Sequence, residues 1–275
     1  QPSRTVVPGT DGKRGGIVSK TDFIGFVTIL RKEYIRIVRI WSQTLLPPVM
    51  NVALYLLIFG SFIGKRIGMM GNDSYASFII PGLLLMAVIT NSYGNVSSSF
   101  FSAKFQKNIE EILVSPIPEW LIVLGFGLGG VIRGLLVALC VFLVILVAPG
   151  VELKLQNPVF AFFILLLTAG FFSFAGLMNA MFAKKFDDIS FIPTFVLTPL
   201  TYLGGIFYPL SSLPEFWQKV SAANPVLHIV NALRYAFLGH SDLSYWYAVV
   251  FLIVGNSVLY YVCLRYLKKG MGIRN

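Results

Sequence analysis

NIEEILVSPIP, residues 108–118, lies between two oily stretches. Adjacent carboxylates, Glu110 and Glu111, lead into a short apolar run that Pro116 and Pro118 close. Outward from it, residues 77–100 and 121–147 are each near the roughly 20 apolar residues that cross a bilayer. Two spans need only a short polar loop between them. This connector instead has the pattern of a brief helix with a proline stop. A structured link between membrane spans sets the fold class as an all-α membrane protein.

The composition agrees. Hydrophobic residues make up 56% of the 275 and charged residues 12%, against about 25% charged in a soluble domain. Four more apolar runs follow the same rule, at 45–63, 158–182, 191–208 and 245–267. Six transmembrane helices are therefore expected, with both termini on one side. Pro47 and Pro48 are expected to open the first run, where missing amide donors cost least. Residues 1–20 are Gly, Pro and charge, and are expected to be a flexible tail.

The formal net charge is +10. Its distribution is uneven. Sixteen Lys and Arg fall before the first run, in the second and fourth connectors, and at the C-terminus. The opposite side has five, and Arg133 lies inside a run. The positive-inside rule puts both termini and residues 104–118 in the cytoplasm. The positive excess is thus a feature of membrane orientation, and nucleic acid is not an expected partner. Cys140 and Cys263 lie in apolar runs without CxxC spacing, and His228 and His240 form no HExxH. No metal site is expected.

Residues 21–43 carry a second pattern. Gly25, Thr28, Lys32, Arg36, Arg39 and Gln43 recur at three- and four-residue spacing. Phe23, Val27, Leu30, Tyr34, Ile37 and Trp41 fill the opposite face. That is an amphipathic helix suited to lying in the membrane surface.

Two motifs imitate nucleotide sites. GSFIGKR, 60–66, has three residues where a phosphate loop needs four, and Arg66 where it needs Ser or Thr. GFGLGG, 125–130, matches G-x-G-x-x-G but opens a hydrophobic span and not a βαβ turn. Gly125 with Gly129, and Gly130 with Gly134, are better small-xxx-small pairs for helix packing. No catalytic constellation appears, and the chain is not expected to be an enzyme.

Polar residues inside the runs suggest more. Asn91, Ser92, Tyr93, Asn95, Ser97, Ser98 and Ser99 crowd the cytoplasmic half of the second run. They serve either interhelical hydrogen bonding or a transport path. Arg133 sits near mid-bilayer with no acidic partner evident, and its uses are structural first and substrate contact second. The fifth run holds Pro193, Pro199, Pro209 and Gly204–Gly205, so it is expected to be kinked or broken. The stretches 211–220 and 224–239 are too short to cross. They open with Ser212 and Pro214, and with Asn224 and Pro225, as helix starts do.

Two stretches together resemble a known family. KFQKNIEEILVSPIPEW (104–120) is similar to the cytoplasmic segment of ABC-2 type exporter permeases. LTPLTYLGGIFYPLSSLPEFWQKVSAANPVLHIVNALRY (197–235) resembles their C-terminal signature, and the YadH-like branch fits best. The likeness covers the chain from about residue 22. It implies an amphipathic interface helix at 21–43 and a transmembrane domain over 44–275. Within that domain it implies a coupling helix at about 104–118 and re-entrant helices at about 211–240. It also implies a bacterial inner membrane location, a homodimer, and a separate ABC ATPase subunit carrying ATP and Mg. Asn108, Glu110, Glu111, Leu113 and Pro116 would dock that subunit. Asn91, Tyr93, Asn95, Ser98, Thr198 and Tyr202 would line a path beside membrane lipid. The rival expectation is a carrier or channel working alone. That would need buried acidic relays in the spans, and none is evident.

Overall fold

The computed structural model describes residues 20–70, 73–148 and 153–270. The expected tail lies almost wholly outside the described residues. Helix α1 (Lys20–Arg39) is followed by α2 (Trp41–Tyr55), which continues as a π-helix, Leu56–Ile63, and a last turn, α3 (Gly64–Ile67). Strands β1 (Met69–Met70) and β2 (Asp73–Ser74) pair antiparallel. Then come α4 (Tyr75–Phe105), α5 (Asn108–Val114), α6 (Glu119–Val147) and α7 (Pro158–Phe182). Helix α8 (Phe186–Ile192), a π-helix (Pro193–Leu197) and α9 (Thr198–Tyr202) form one broken rod. A 3-10 turn (Leu210–Ser212), α10 (Glu215–Ala222), α11 (Pro225–Leu238) and α12 (Tyr245–Lys268) complete the order.

Among the described residues, five helices are long and apolar enough to cross a membrane: Trp41–Gly60, Tyr75–Phe105, Glu119–Val147, Pro158–Phe182 and Tyr245–Lys268. The expected run at 191–208 does not reach that length as one helix. Pro193 and Pro199 withdraw amide donors inside it. The π-turn takes up the defect, with the Thr198 N–H reaching the Pro193 carbonyl. The chain then leaves the helical path at Gly205, whose φ of +67° suits glycine.

The first span needs a correction. The amphipathic helix expected over 21–43 runs Lys20–Arg39, because Ile40 leaves helical geometry (φ −111°, ψ 33°). Helix α2 starts there, so Pro47 and Pro48 lie inside it and not at its opening. Each removes a donor four residues ahead of a carbonyl, which releases the carbonyls of Gln43 and Thr44. Helix 60–66 shows no phosphate-binding loop, since the stretch is helical throughout.

Helix α4 is the hub. Of its most apolar window, 83% is buried, against 17% for α2 and 22% for α12. Toward its N-terminal end, Ile79, Leu83 and Val88 share a core with Ile164 of α7 and Ile229 and Leu233 of α11. Toward the connector end, Phe100 and Phe101 pack with Ile29 of α1, Ile109 of α5, Phe126 of α6 and Leu177 of α7. Local chemistry fixes the helix starts. Asn157 accepts from the Phe160 amide, with Pro158 following. Asn224 accepts from the Val226 amide, with Pro225 following, as its spacing predicts. Ser212 does not cap α10; its hydroxyl donates to Pro209 O and α10 begins after Pro214.

Candidate functional site

The connector 104–118 folds as α5 between two sharp stops. Lys107 before it is left-handed (φ 61°) and Ser115 after it is extended. Only Ile109 is fully buried, at 1% exposure, and it anchors α5 in the core beside Phe100 and Phe126. Asn108, Glu110, Glu111 and Pro116 are exposed, Leu113 is half-buried, and Val114 is 87% exposed. The helix is therefore held by Ile109, with Ile112 and Leu113 partly packed beside it, and presents its polar residues and Val114 outward. Beside it, Phe105 and Phe186 meet edge-on at 5.0 Å. Lys104 donates to the carbonyls of Met181 and Ala183, tying the end of α4 to the end of α7.

Helix α1 touches this region from the other side. A side chain at Gly25 would strike Ile117, just past α5. A Cβ at Gly125 would lie 2.7 Å from Ile29, and one at Gly129 would lie 2.8 Å from Glu33. The first glycine pair is thus the groove that admits α1. The second pair, Gly130 and Gly134, admits Ser92 and Val96 of α4. Lys32 of α1 lies over the Phe126 ring at 5.6 Å.

Glu33 was not among the residues that the sequence singled out. It is fully buried. Its carboxylate accepts from Ser99 Oγ and from Arg36 Nη2 at 3.0 Å, and Asn95 Nδ2 lies 3.5 Å away. Arg36 also donates to Asn95 O at 3.0 Å and to Asn95 Oδ1 at 2.7 Å. Arg133 of α6 reaches the same Asn95 oxygen at 3.4 Å, and Asn91 Oδ1 at 3.4 Å. One polar chain thus runs from α1 through α4 to the middle of α6. Glu33 belongs to α1 and not to a candidate span, but it is buried against α4 and α6, where it pairs with Arg36.

The expected path residues divide. Asn91 and Arg133 open onto a cavity of about 330 Å³ shared with Gln43, Asn51 and Tyr55 of the first span. Tyr93 faces α7 and is 2% exposed, with its backbone carbonyl against Gly176. Asn95 is buried in the polar chain, and Ser98 bonds back to the Gly94 and Asn95 carbonyls. Thr198 is exposed and donates to Pro193 O across the π-turn. Tyr202 meets Tyr55 hydroxyl to hydroxyl at 3.0 Å and stacks on Phe207. That contact joins the first span to the broken rod: Tyr55 directly precedes the π-helix Leu56–Ile63, and Tyr202 ends α9.

The C-terminal signature closes around Arg234. This guanidinium is 2% exposed, lies 3.8 Å over the Phe78 ring, and donates to Gly205 O at 2.8 Å. Asn224 Nδ2 donates to Leu200 O at 2.7 Å. Arg and Asn of α11 thereby satisfy carbonyls that the Gly204–Gly205 break leaves exposed.

A hub helix with a buried polar chain, an outward-facing acidic connector and a proline-broken rod define a membrane transport domain. The chain belongs to the ABC-2 type transporter family, whose model matches residues 25–238. It is 49% identical over 253 residues to the inner membrane transport permease YadH of Escherichia coli strain K12, covering 92% of this chain and 98% of that protein. It is also similar to nodulation protein J of Neorhizobium galegae, 22% identical over 79% of this chain and 82% of that protein. Nodulation protein J of Rhizobium leguminosarum bv. trifolii is 24% identical over the same shares.

Proposed function

We propose that the chain is the inner-membrane permease subunit of an exporter driven by ATP hydrolysed on a separate subunit. The observation that carries this is α5. It is an acidic helix anchored by Ile109, with Ile112 and Leu113 packed partly against the core, and its Asn108, Glu110, Glu111 and Val114 are exposed. Such a surface suits a protein that receives force from outside. Glu110, Glu111, Val114 and Pro116 would seat in an ATPase subunit that binds ATP and Mg. Motion of α5 would pass to α1 through Ile117 and Gly25, and to α4 through Ile109. Two copies of the chain would enclose a path at the seam between the first span and the broken rod. Asn91 and Tyr202 would face it, while Asn95, Tyr93 and Ser98 would support its wall. The rod would complete a sixth crossing, with α10 and α11 dipping into the outer leaflet.

The test is co-purification. Glu110→Lys with Glu111→Lys lies on an exposed surface, so the chain should fold normally. It should lose at least tenfold of the ATPase subunit that co-purifies with the parent chain. Undiminished association would reject α5 as the docking element.

A further inference from the structure

The polar chain leaves one charge unanswered. Arg36 and Glu33 pair at 3.0 Å, but among the described residues no carboxylate lies within salt-bridge distance of Arg133. Its two contacts, to Asn91 and Asn95, are both 3.4 Å, near the weak limit of a hydrogen bond. Its Nε is buried without a partner. Arg133 is the fifteenth of the 29 residues of α6, about 21 Å from the helix start. An uncompensated cation at that depth is costly. The two guanidinium groups also converge on one oxygen, Asn95 Oδ1, which further raises the local positive potential.

The space beside it is shaped for an answer. The 330 Å³ cavity holds about ten waters' volume. Its wall carries Asn91, Asn51, Thr90, Gln43 and Tyr55 with Arg133, and Leu83 and Met86 add apolar surface. We propose that this cavity takes the anionic headgroup of the exported amphiphile, a phosphate or sulfate ester, with its alkyl part toward the lipid. The proposal rests on the export-path reading above. A fork of guanidinium donors matches tetrahedral oxyanions, and the low dielectric strengthens the pair.

The first arm needs only this chain, so it stands apart from the ATPase reading. Dodecyl phosphate and dodecanol are titrated against the chain in neutral phosphatidylcholine nanodiscs. Arg133→Gln should weaken dodecyl phosphate binding at least tenfold and leave dodecanol unchanged. Arg133→Lys, which keeps the charge but not the fork, should bind with an affinity between those of the parent and Arg133→Gln. If Arg133→Gln does not fold, Thr90→Trp fills the cavity with the guanidinium intact and should give the same loss. Unchanged binding in the folded variant, or equal affinity for dodecanol, overturns the site. The second arm separates cargo from resident lipid in the complete transporter. Vanadate trapping of the partner ATPase should expel bound dodecyl phosphate. Retention through the cycle would overturn the cargo assignment in favour of a structural lipid.

Discussion

Asn95 Oδ1 accepts from Arg36 at 2.7 Å and lies 3.4 Å from Arg133, while Glu33 balances one of the two guanidinium groups. Removing that balance should be costly. Glu33→Ala leaves Arg36, Asn95 and Ser99 short of a charged acceptor, and bonds to charged groups are worth about 1.5–3 kcal/mol. We expect a drop of several degrees in the thermal midpoint of the purified chain. Adding Arg36→Met should recover part of it, and a midpoint that falls further in the double variant would count against the pairing. Gly129→Val should cost a similar amount by another route, since its side chain collides with Glu33 and pushes α1 out of its groove. Arg234→Lys is a third case. Lysine keeps the charge but cannot both stack on Phe78 and fork to Gly205 and Asn231. It should unfold earlier in denaturant than the parent, despite being a conservative change.

The elements show where the sequence was legible and where it was not. The amphipathic helix was legible from its period, yet that period was read as two faces. Helix α1 has three. One carries the exposed basic residues Arg31, Lys32 and Arg39, one carries exposed Phe23, Val27 and Tyr34, and the third is the buried stripe Ile29, Glu33 and Ile37. A stripe at i, i+4 and i+8 needs a groove to receive it, and the groove is Gly125 and Gly129, nearly a hundred residues away. The glycine spacing announced a close approach but not the partner. The broken rod was legible from its prolines, but its π-turn was not, because that geometry depends on Thr198 reaching Pro193. Helix α8 supplies a pH test at this scale. The amides of Lys184 and Lys185 donate to Asp188 at 2.7 and 2.9 Å and hold its carboxyl below the usual value. A depressed carboxyl stabilises above its unfolded pKa, about 3.9, and that contribution fades as pH falls through the lower folded value. A spin label at Asp187→Cys should therefore gain mobility as pH falls through that lower folded value. With Asp188→Asn it should be mobile throughout, and identical titrations in both chains would refute the cap's role.

For the whole molecule, the number of crossings is decided by the rod Phe186–Tyr202. If it completes a crossing, Lys20 and Lys268 share a side; if it does not, they are opposed. Tags at the two ends, probed in sealed inner-membrane vesicles, should be accessible from the same side. Opposite accessibility would reduce the spans to the five that length and composition alone establish. The spans were legible because hydrocarbon demands long apolar runs. Which spans are central was not legible, because α2, α4 and α12 are all oily and differ only in what they touch.

That difference has a mechanical consequence. Helix α4 is locked on nearly every side, whereas α2 and α12 hold on by narrow contacts. Pulled from either end by a single-molecule tether, the chain should give way in peels, with α1 and α2 leaving from one end and α12 from the other. The α4, α6, α7 and α11 kernel should then resist until a single larger rupture. The outermost span at the seam is thus the one that comes away with least force, as a hinged door hangs from a fixed post.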